Sequence, residues 1–154
     1  MDKKILMVCL GNICRSPLAE GILKSKIEAN KINAMVDSVG IANFHVGETP
    51  DIRAQNVALK NNVNISKHKG RQFSVEDFDN FDKIYAMDMS NYSDIIELAR
   101  DNDDKNKVDL ILNELYPNEN RSVDDPYYDS IKEFDNVYEI LDKTCDKIIE
   151  NLKI

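Results

Sequence analysis

Apolar residues fall into short unbroken runs separated by segments of helical spacing, and this alternation sets the expected fold. The run Ile5-Leu6-Met7-Val8-Cys9 has no polar interruption, as expected of a parallel strand covered on both faces. Gly11 and Asn12 break it with a loop. Ser16 and Pro17 then read as helix N-cap and first helical residue, and Leu18, Ala19, Ile22, Leu23 and Ile27 recur along one helix face. A second strand is expected over 34–39, with Met35, Val36 and Val39. It is reached across that helix, so the two strands should be parallel.

Downstream the alternation continues. Residues 40–50 form a loop carrying Phe44 and His45, and 51–61 a short helix with Ile52, Val57, Ala58 and Leu59. Residues 73–81 read as a brief helical turn in which Ser74 and Asp77 have near capping-box spacing. A third strand is expected over 83–87, a helix over 90–100 and a fourth strand over 108–112. After a polar loop over 118–129, Ile131, Phe134, Val137, Leu141, Cys145 and Ile148 mark a long amphipathic helix. No repeat or linker divides the chain, so one domain over 1–154 is expected: an α/β three-layer sandwich with a central four-stranded parallel sheet and helices on both faces. Ligands in such folds bind beyond the carboxyl ends of the strands.

Composition narrows the function. At 154 residues a hydrophobic core suffices without a metal or disulfide staple. Twenty Lys and Arg against 28 Asp and Glu give a net charge of −8, which disfavours nucleic acid as a partner. The six-residue run from Ile5 to Leu10 is too short for a secretory core region or a membrane span. Three cysteines make no disulfide framework, and with only two histidines no zinc spacing appears. A reducing, cytoplasmic compartment, a monomer, and no metal or cofactor are expected.

The chemistry concentrates in Cys9-Leu10-Gly11-Asn12-Ile13-Cys14-Arg15-Ser16. A thiol at the carboxyl end of a strand faces a helix N-terminus, and the N–H groups of the tight loop between them form an anion-binding nest. Arg15 adds a planar fork for two oxygens of a tetrahedral anion. The same positive field favours the thiolate of Cys9, the nucleophilic form. A cation at a helix N-terminus is unfavourable unless an anion is expected there, so Arg15 is read as a ligand for one. Ser16 is left open between an N-cap and a hydrogen-bond partner of the thiolate. The Walker A pattern is absent.

Cys9-x5-Arg15-Ser16, together with Asp125-Pro126-Tyr127-Tyr128 late in the chain, resembles the low-molecular-weight protein tyrosine phosphatases. The resemblance extends over nearly the whole chain, through Val46-Gly47, Pro50-Asp51, Arg71-Gln72 and Ser90-Asn91. It implies a flavodoxin-like fold of the phosphotyrosine phosphatase I type. It also implies metal-free hydrolysis of phosphotyrosine in proteins or peptides and of other aryl phosphates, with inorganic phosphate as product. Cys9 would form a phosphocysteine, Arg15 and the amides of residues 10–16 would hold the phosphate oxygens, and Asp125 would act as general acid and then base. Asp124 is chemically equal, but the family's Asp-Pro dipeptide selects Asp125. By the same resemblance Asn12 adopts a strained conformation held by His68, and Ser38 and Asp88 support the loop. Leu10, Ile13, Phe44, His45, Tyr127 and Tyr128 match positions of the substrate pocket. Phe44 stands where many members carry Trp or Tyr, and His45 follows it. Cys14 matches a second cysteine thought to protect the nucleophile through a reversible disulfide, while Cys145 sits at a helical core position.

Related chemistries fit less well. Arsenate reductases of this fold relay electrons through two further cysteines in the middle of the chain, and residues 15–144 hold none. Protein-arginine phosphatases carry a small Thr at the position of Ile13. Sugar-transport phosphocarriers lack the loop arginine. A non-catalytic phosphate-binding module would not need Cys9, Arg15 and Asp125 together.

Overall fold

In the computed structural model, which describes residues 3–154, the first apolar run becomes β1 (Lys3–Cys9), buried without a break from Ile5 onward. Its side chains alternate between two cores, which explains why no polar residue interrupts them. Ile5, Met7 and Cys9 join the core formed with α1 (Arg15–Ala29), α2 (Ile52–Lys60) and α6 (Ile131–Leu152). Leu6 and Val8 face the opposite side with Phe73, with Phe78 of α3 (Asp77–Asn80) and with Ile95 of α4 (Met89–Leu98).

β1 pairs along its length with β2 (Ala34–Gly40), in register from Lys3 with Ala34 to Cys9 with Gly40. On its other side lies β3 (Lys83–Ala86), and beyond that β4 (Val108–Leu110). All pairings are parallel and the order is β2-β1-β3-β4. The chain therefore leaves β1 in one direction and returns to β3 on the other side. The loops after these two strands diverge and leave a crevice at their carboxyl ends, the position where such sheets bind ligands. The expected sandwich is what forms.

Element boundaries differ from expectation for local reasons. Helix α1 starts at Arg15, not after Ser16, because Leu18 N–H already bonds the Cys14 carbonyl at 3.2 Å. Pro17 then lies inside the first turn, where its missing N–H has no partner to lose. β4 stops at Leu110, and 111–113 tighten into a 3₁₀ turn that an apolar run cannot reveal. The short α5 (Asn102–Asn106) has no apolar period; Asp101 caps it by accepting Asp104 N–H at 2.9 Å, and Arg100 grips Asp104 at 2.8 Å.

The α1–α6 contact closes one core. Leu141 and Ile22 are fully buried there, whereas Lys26 bridges Asp142 and Asp146 at 2.9 and 2.7 Å on the rim. Leu141→Ala is expected to lower unfolding stability by about 2–5 kcal/mol, and Lys26→Ala by about 1 kcal/mol or less. Urea midpoints of the two variants check this; equal losses would contradict the assignment of stability to apolar packing.

Candidate active site

The loop after β1 turns back over its own strand end. Asn12 N–H points at the Cys9 sulfur at 3.3 Å, and the Ser16 hydroxyl lies 3.0 Å from the same atom. Ser16 Oγ already accepts the Asn12 amide NH₂ at 2.8 Å, and its own proton has two acceptors in reach, the Cys9 sulfur at 3.0 Å and the Val39 carbonyl at a longer 3.4 Å. That favours the thiolate partner over the N-cap for Ser16, and α1 has no side-chain cap.

Asn12 holds the turn. Its φ of 58° is in the left-handed region, where a non-glycine residue needs its surroundings to fix it. Its side chain donates to Ser16 and, at 3.0 Å, to Ser38, and accepts from His68 Nε2 at 2.8 Å and Arg71 N–H at 3.2 Å. All four lie on α1, β2 or the 68–71 segment, so three separate parts of the chain meet on one amide. Gly40 completes the support: a Cβ there would stand 2.9 Å from Leu10 O and 3.0 Å from Gly11 C.

Arg15 is 3% exposed. Its Nη1 donates to Asp88 Oδ2 at 2.7 Å and to the Val123 carbonyl at 3.0 Å, and its Nη2 lies 3.5 Å from Asp125 Oδ2. Burial works against the charge, but Cys9, Asp88 and Asp125 outweigh it and hold the guanidinium more firmly protonated than usual. Asp88, at the end of β3, uses its other oxygen to cap α4 through Asn91 N–H at 2.7 Å. The segment carrying Asp125 is tied to the same strand end, since Val123 N–H bonds the Met87 carbonyl at 2.8 Å. Asp125 itself is partly exposed and accepts Tyr127 N–H at 3.1 Å.

A cleft runs over this floor, lined by Cys9, Leu10, Ile13, Arg15, Asp125 and the aromatic residues. Asp124 faces a different depression beside α6, with Ser122 and Glu133. Tyr127 and Tyr128 meet edge to face with centroids 4.9 Å apart, and His45 leans on Tyr127 at 6.5 Å while bonding Glu48 at 2.9 Å. Phe44 and Tyr128 are 73% and 93% exposed, so core packing does not account for either. Cys14 lies buried in the cleft wall, and burial, with Asp51 and Cys9 nearby, pushes its thiol well up. Cys9, Cys14 and Cys145 are all free thiols.

Sequence reasoning gave no role to Glu20, Asp51, Arg53 or Arg71, although Asp51 and Arg71 lie in stretches that carry the resemblance. Glu20 accepts Ser38 Oγ–H at 2.6 Å and faces His68 Nδ1 at 3.3 Å. With Asp37 these two bring three ligand-type atoms within 4.8 Å of one another. Both carboxylates are already engaged, Glu20 by Ser38 and Asp37 by Arg71 at 3.3 Å. Asp51 and Arg53 form a bidentate pair, with bonds of 3.0 and 2.8 Å, beside the cleft. An Asp N-cap followed two residues on by Arg was the available signal for that pair.

A family model described as low molecular weight phosphotyrosine protein phosphatase matches residues 4–154. A low molecular weight phosphotyrosine protein phosphatase of Schizosaccharomyces pombe is 40% identical over 138 residues, covering 88% of this chain and 87% of its own. The mouse protein of the same description is 37% identical over 154 residues, covering 97% and 95%. Among solved structures, a protein tyrosine phosphatase from Entamoeba histolytica superposes with a TM-score of 0.91 at 33% identity, covering 98% of this chain and 97% of its own.

Two outcomes follow from this geometry. Gly40→Ala should push the loop off its strand end and weaken inorganic phosphate binding about tenfold or more, read by calorimetry; unchanged affinity would contradict the close approach. Burial pushes Glu20 up to about 7 from an ordinary 4.5. Its protonated form therefore stabilises the fold fully below 4.5, and this contribution is lost as pH rises through about 7. Burial pushes His68 down, so its contribution runs the other way, full above 6.5 and lost as pH falls below it. Glu20→Gln isolates the first effect: between about pH 5 and pH 8 its urea midpoint should rise relative to the native chain's. A pH-independent difference would contradict the assignment.

Proposed function

The chain belongs to the low molecular weight phosphotyrosine protein phosphatase family, and from that premise we propose that it hydrolyses aryl phosphate monoesters, phosphotyrosine in proteins or peptides foremost, through a phosphocysteine on Cys9. The observation that carries this reading is the convergence on one cleft of a doubly hydrogen-bonded sulfur, a buried arginine and the Asp125 carboxyl. The Cys9 thiolate attacks phosphorus, forming the S–P bond as the bond to the aryl oxygen breaks. Arg15 and the loop N–H groups hold the equatorial oxygens as charge spreads over them. Asp125 gives its proton to the departing phenolate. As a carboxylate it then takes a proton from water, which attacks phosphorus, breaks the S–P bond and releases inorganic phosphate and the thiolate.

Arg15 serves both states. Without substrate its charge is met by Asp88 and Asp125; a bound phosphate takes over the second contact and leaves Asp125 free to reach the leaving oxygen. Because the floor lies below a rim of Phe44, Tyr127 and Tyr128, a flat ring spans the depth and a short phosphoserine does not. Ile13 in the wall supports an aryl ring over a guanidinium. Cys14 is read as a guard: once a peroxide has oxidised Cys9 to a sulfenic acid, the Cys14 thiol condenses with it, the S–S bond forming as the S–O bond breaks and the thiol proton leaving with the hydroxyl as water. No helix among the described residues is long and apolar enough to cross a membrane. Three free thiols suit a reducing cytoplasm.

Turnover of para-nitrophenyl phosphate with EDTA present tests the reading. Cys9→Ser should lose activity by about 10⁴-fold or more, and Asp125→Ala should lose kcat by about 10²-fold or more, because it lacks the base that hydrolysis of the phosphocysteine needs. Full activity in Cys9→Ser, or a strict metal requirement, would overturn it.

A further inference from the structure

Asp51 and Arg53 lie between the two loops that the proposed reaction needs. Asp51 N–H donates to the Ile13 carbonyl at 2.9 Å, which ties the start of α2 to the phosphate loop. The Asp51 carboxylate caps α2 through Arg53 N–H at 2.8 Å and grips the guanidinium at Nε and Nη2, at 3.0 and 2.8 Å. The same guanidinium reaches across the cleft wall, donating to the Tyr127 carbonyl at 2.9 Å and the Asp129 carbonyl at 3.4 Å. It also stacks over the Phe134 ring at 4.6 Å and the Tyr127 ring at 5.6 Å. Only a planar fork can face a carboxylate and two carbonyls while lying on a ring.

The Asp125 carboxyl is oriented by Tyr127 N–H, so the peptide plane that aims it lies next to the carbonyl that Arg53 holds. The upstream end of the segment is pinned by Val123 to Met87, the residue after β3; Arg53 pins the downstream end. We propose that Asp51 and Arg53 form a strut that sets the position of Asp125 relative to Cys9, making Arg53 a positioning residue for the general acid. The inference rests on the role given to Asp125 under Proposed function. Arg53 holds the Asp51 carboxyl below the usual carboxylate range, so the strut stays ionised across the working pH range.

A misplaced acid and a merely loosened fold give different kinetics. Loss of proton donation slows substrates whose phenolate leaves badly and spares those whose phenolate leaves well; a loosened fold slows both alike. The experiment compares kcat/KM for phenyl phosphate and para-nitrophenyl phosphate in the native chain, Arg53→Met, Arg53→Lys, Asp125→Ala and the Arg53→Met/Asp125→Ala pair. It adds the competitive inhibition constant of inorganic phosphate and a urea midpoint for each. Arg53→Met should lose about tenfold more on phenyl phosphate than on para-nitrophenyl phosphate. Its phosphate inhibition constant should stay within about twofold, and the paired variant should match Asp125→Ala within about twofold, because the strut acts only through the acid. Arg53→Lys keeps the charge but not the fork and should fall between Arg53→Met and the native chain.

Equal losses on the two substrates, losses that multiply in the paired variant, or a phosphate constant that rises in step with the lost activity would overturn the strut. If Asp125→Ala fails to separate the two substrates, the role given to Asp125 falls and the strut falls with it. If Asp125→Ala separates them and Arg53→Met does not, the strut alone is wrong.

Discussion

A buried guanidinium at the start of a helix is the constraint around which this molecule is arranged. Arg15 is almost sealed from water and sits where the dipole of α1 already contributes positive charge. Leaving such a cation unpaired would cost several kcal/mol. The chain answers from both sides of the switch point: Asp88 at the end of β3, the Val123 carbonyl, and Asp125 beyond it. The contact to Asp125 is the longest and the partner is the most exposed; under the proposed function it is the one a bound phosphate replaces.

The sheet order makes this arrangement possible. Because β2 and β3 flank β1, the loop after β1 and the residues after β3 open toward the same crevice. The loop keeps its shape through Asn12, whose left-handed backbone is held by side chains from α1 and β2 and by the 68–71 segment. Strain at Asn12 thus directs its N–H inward at the sulfur rather than outward to water. Glu20 lies behind that network, so the protonation of a side chain outside the cleft is linked to the stability of the loop that holds Cys9.

What the sequence showed and what it hid follow from the range of the interactions. The strands were legible because β1 is buried on both faces and carries an unbroken apolar run. Cys9, Arg15 and Ser16 were legible because one contiguous loop holds them between a strand and a helix. Asp125 depended on resemblance, since an Asp before Pro in a polar loop is ordinarily a turn. Arg53 was hidden because its partners at Tyr127 and Asp129 are 74 and 76 residues away and are backbone carbonyls, which leave no trace in residue type. Helix α5 was hidden because caps and ion pairs hold it, with no apolar face to give a period.

The central claim is that the positive trap at the head of α1 exists to hold a phosphate while it sits on Cys9. Acid quenching of Asp125→Ala during turnover of para-nitrophenyl phosphate, followed by peptide mass spectrometry, tests it most directly. The account predicts phosphate on the peptide containing Cys9, and none when Cys9→Ser is added. Phosphate on another residue, or turnover with no phosphorylated peptide under conditions that preserve a thiophosphate ester, would contradict it.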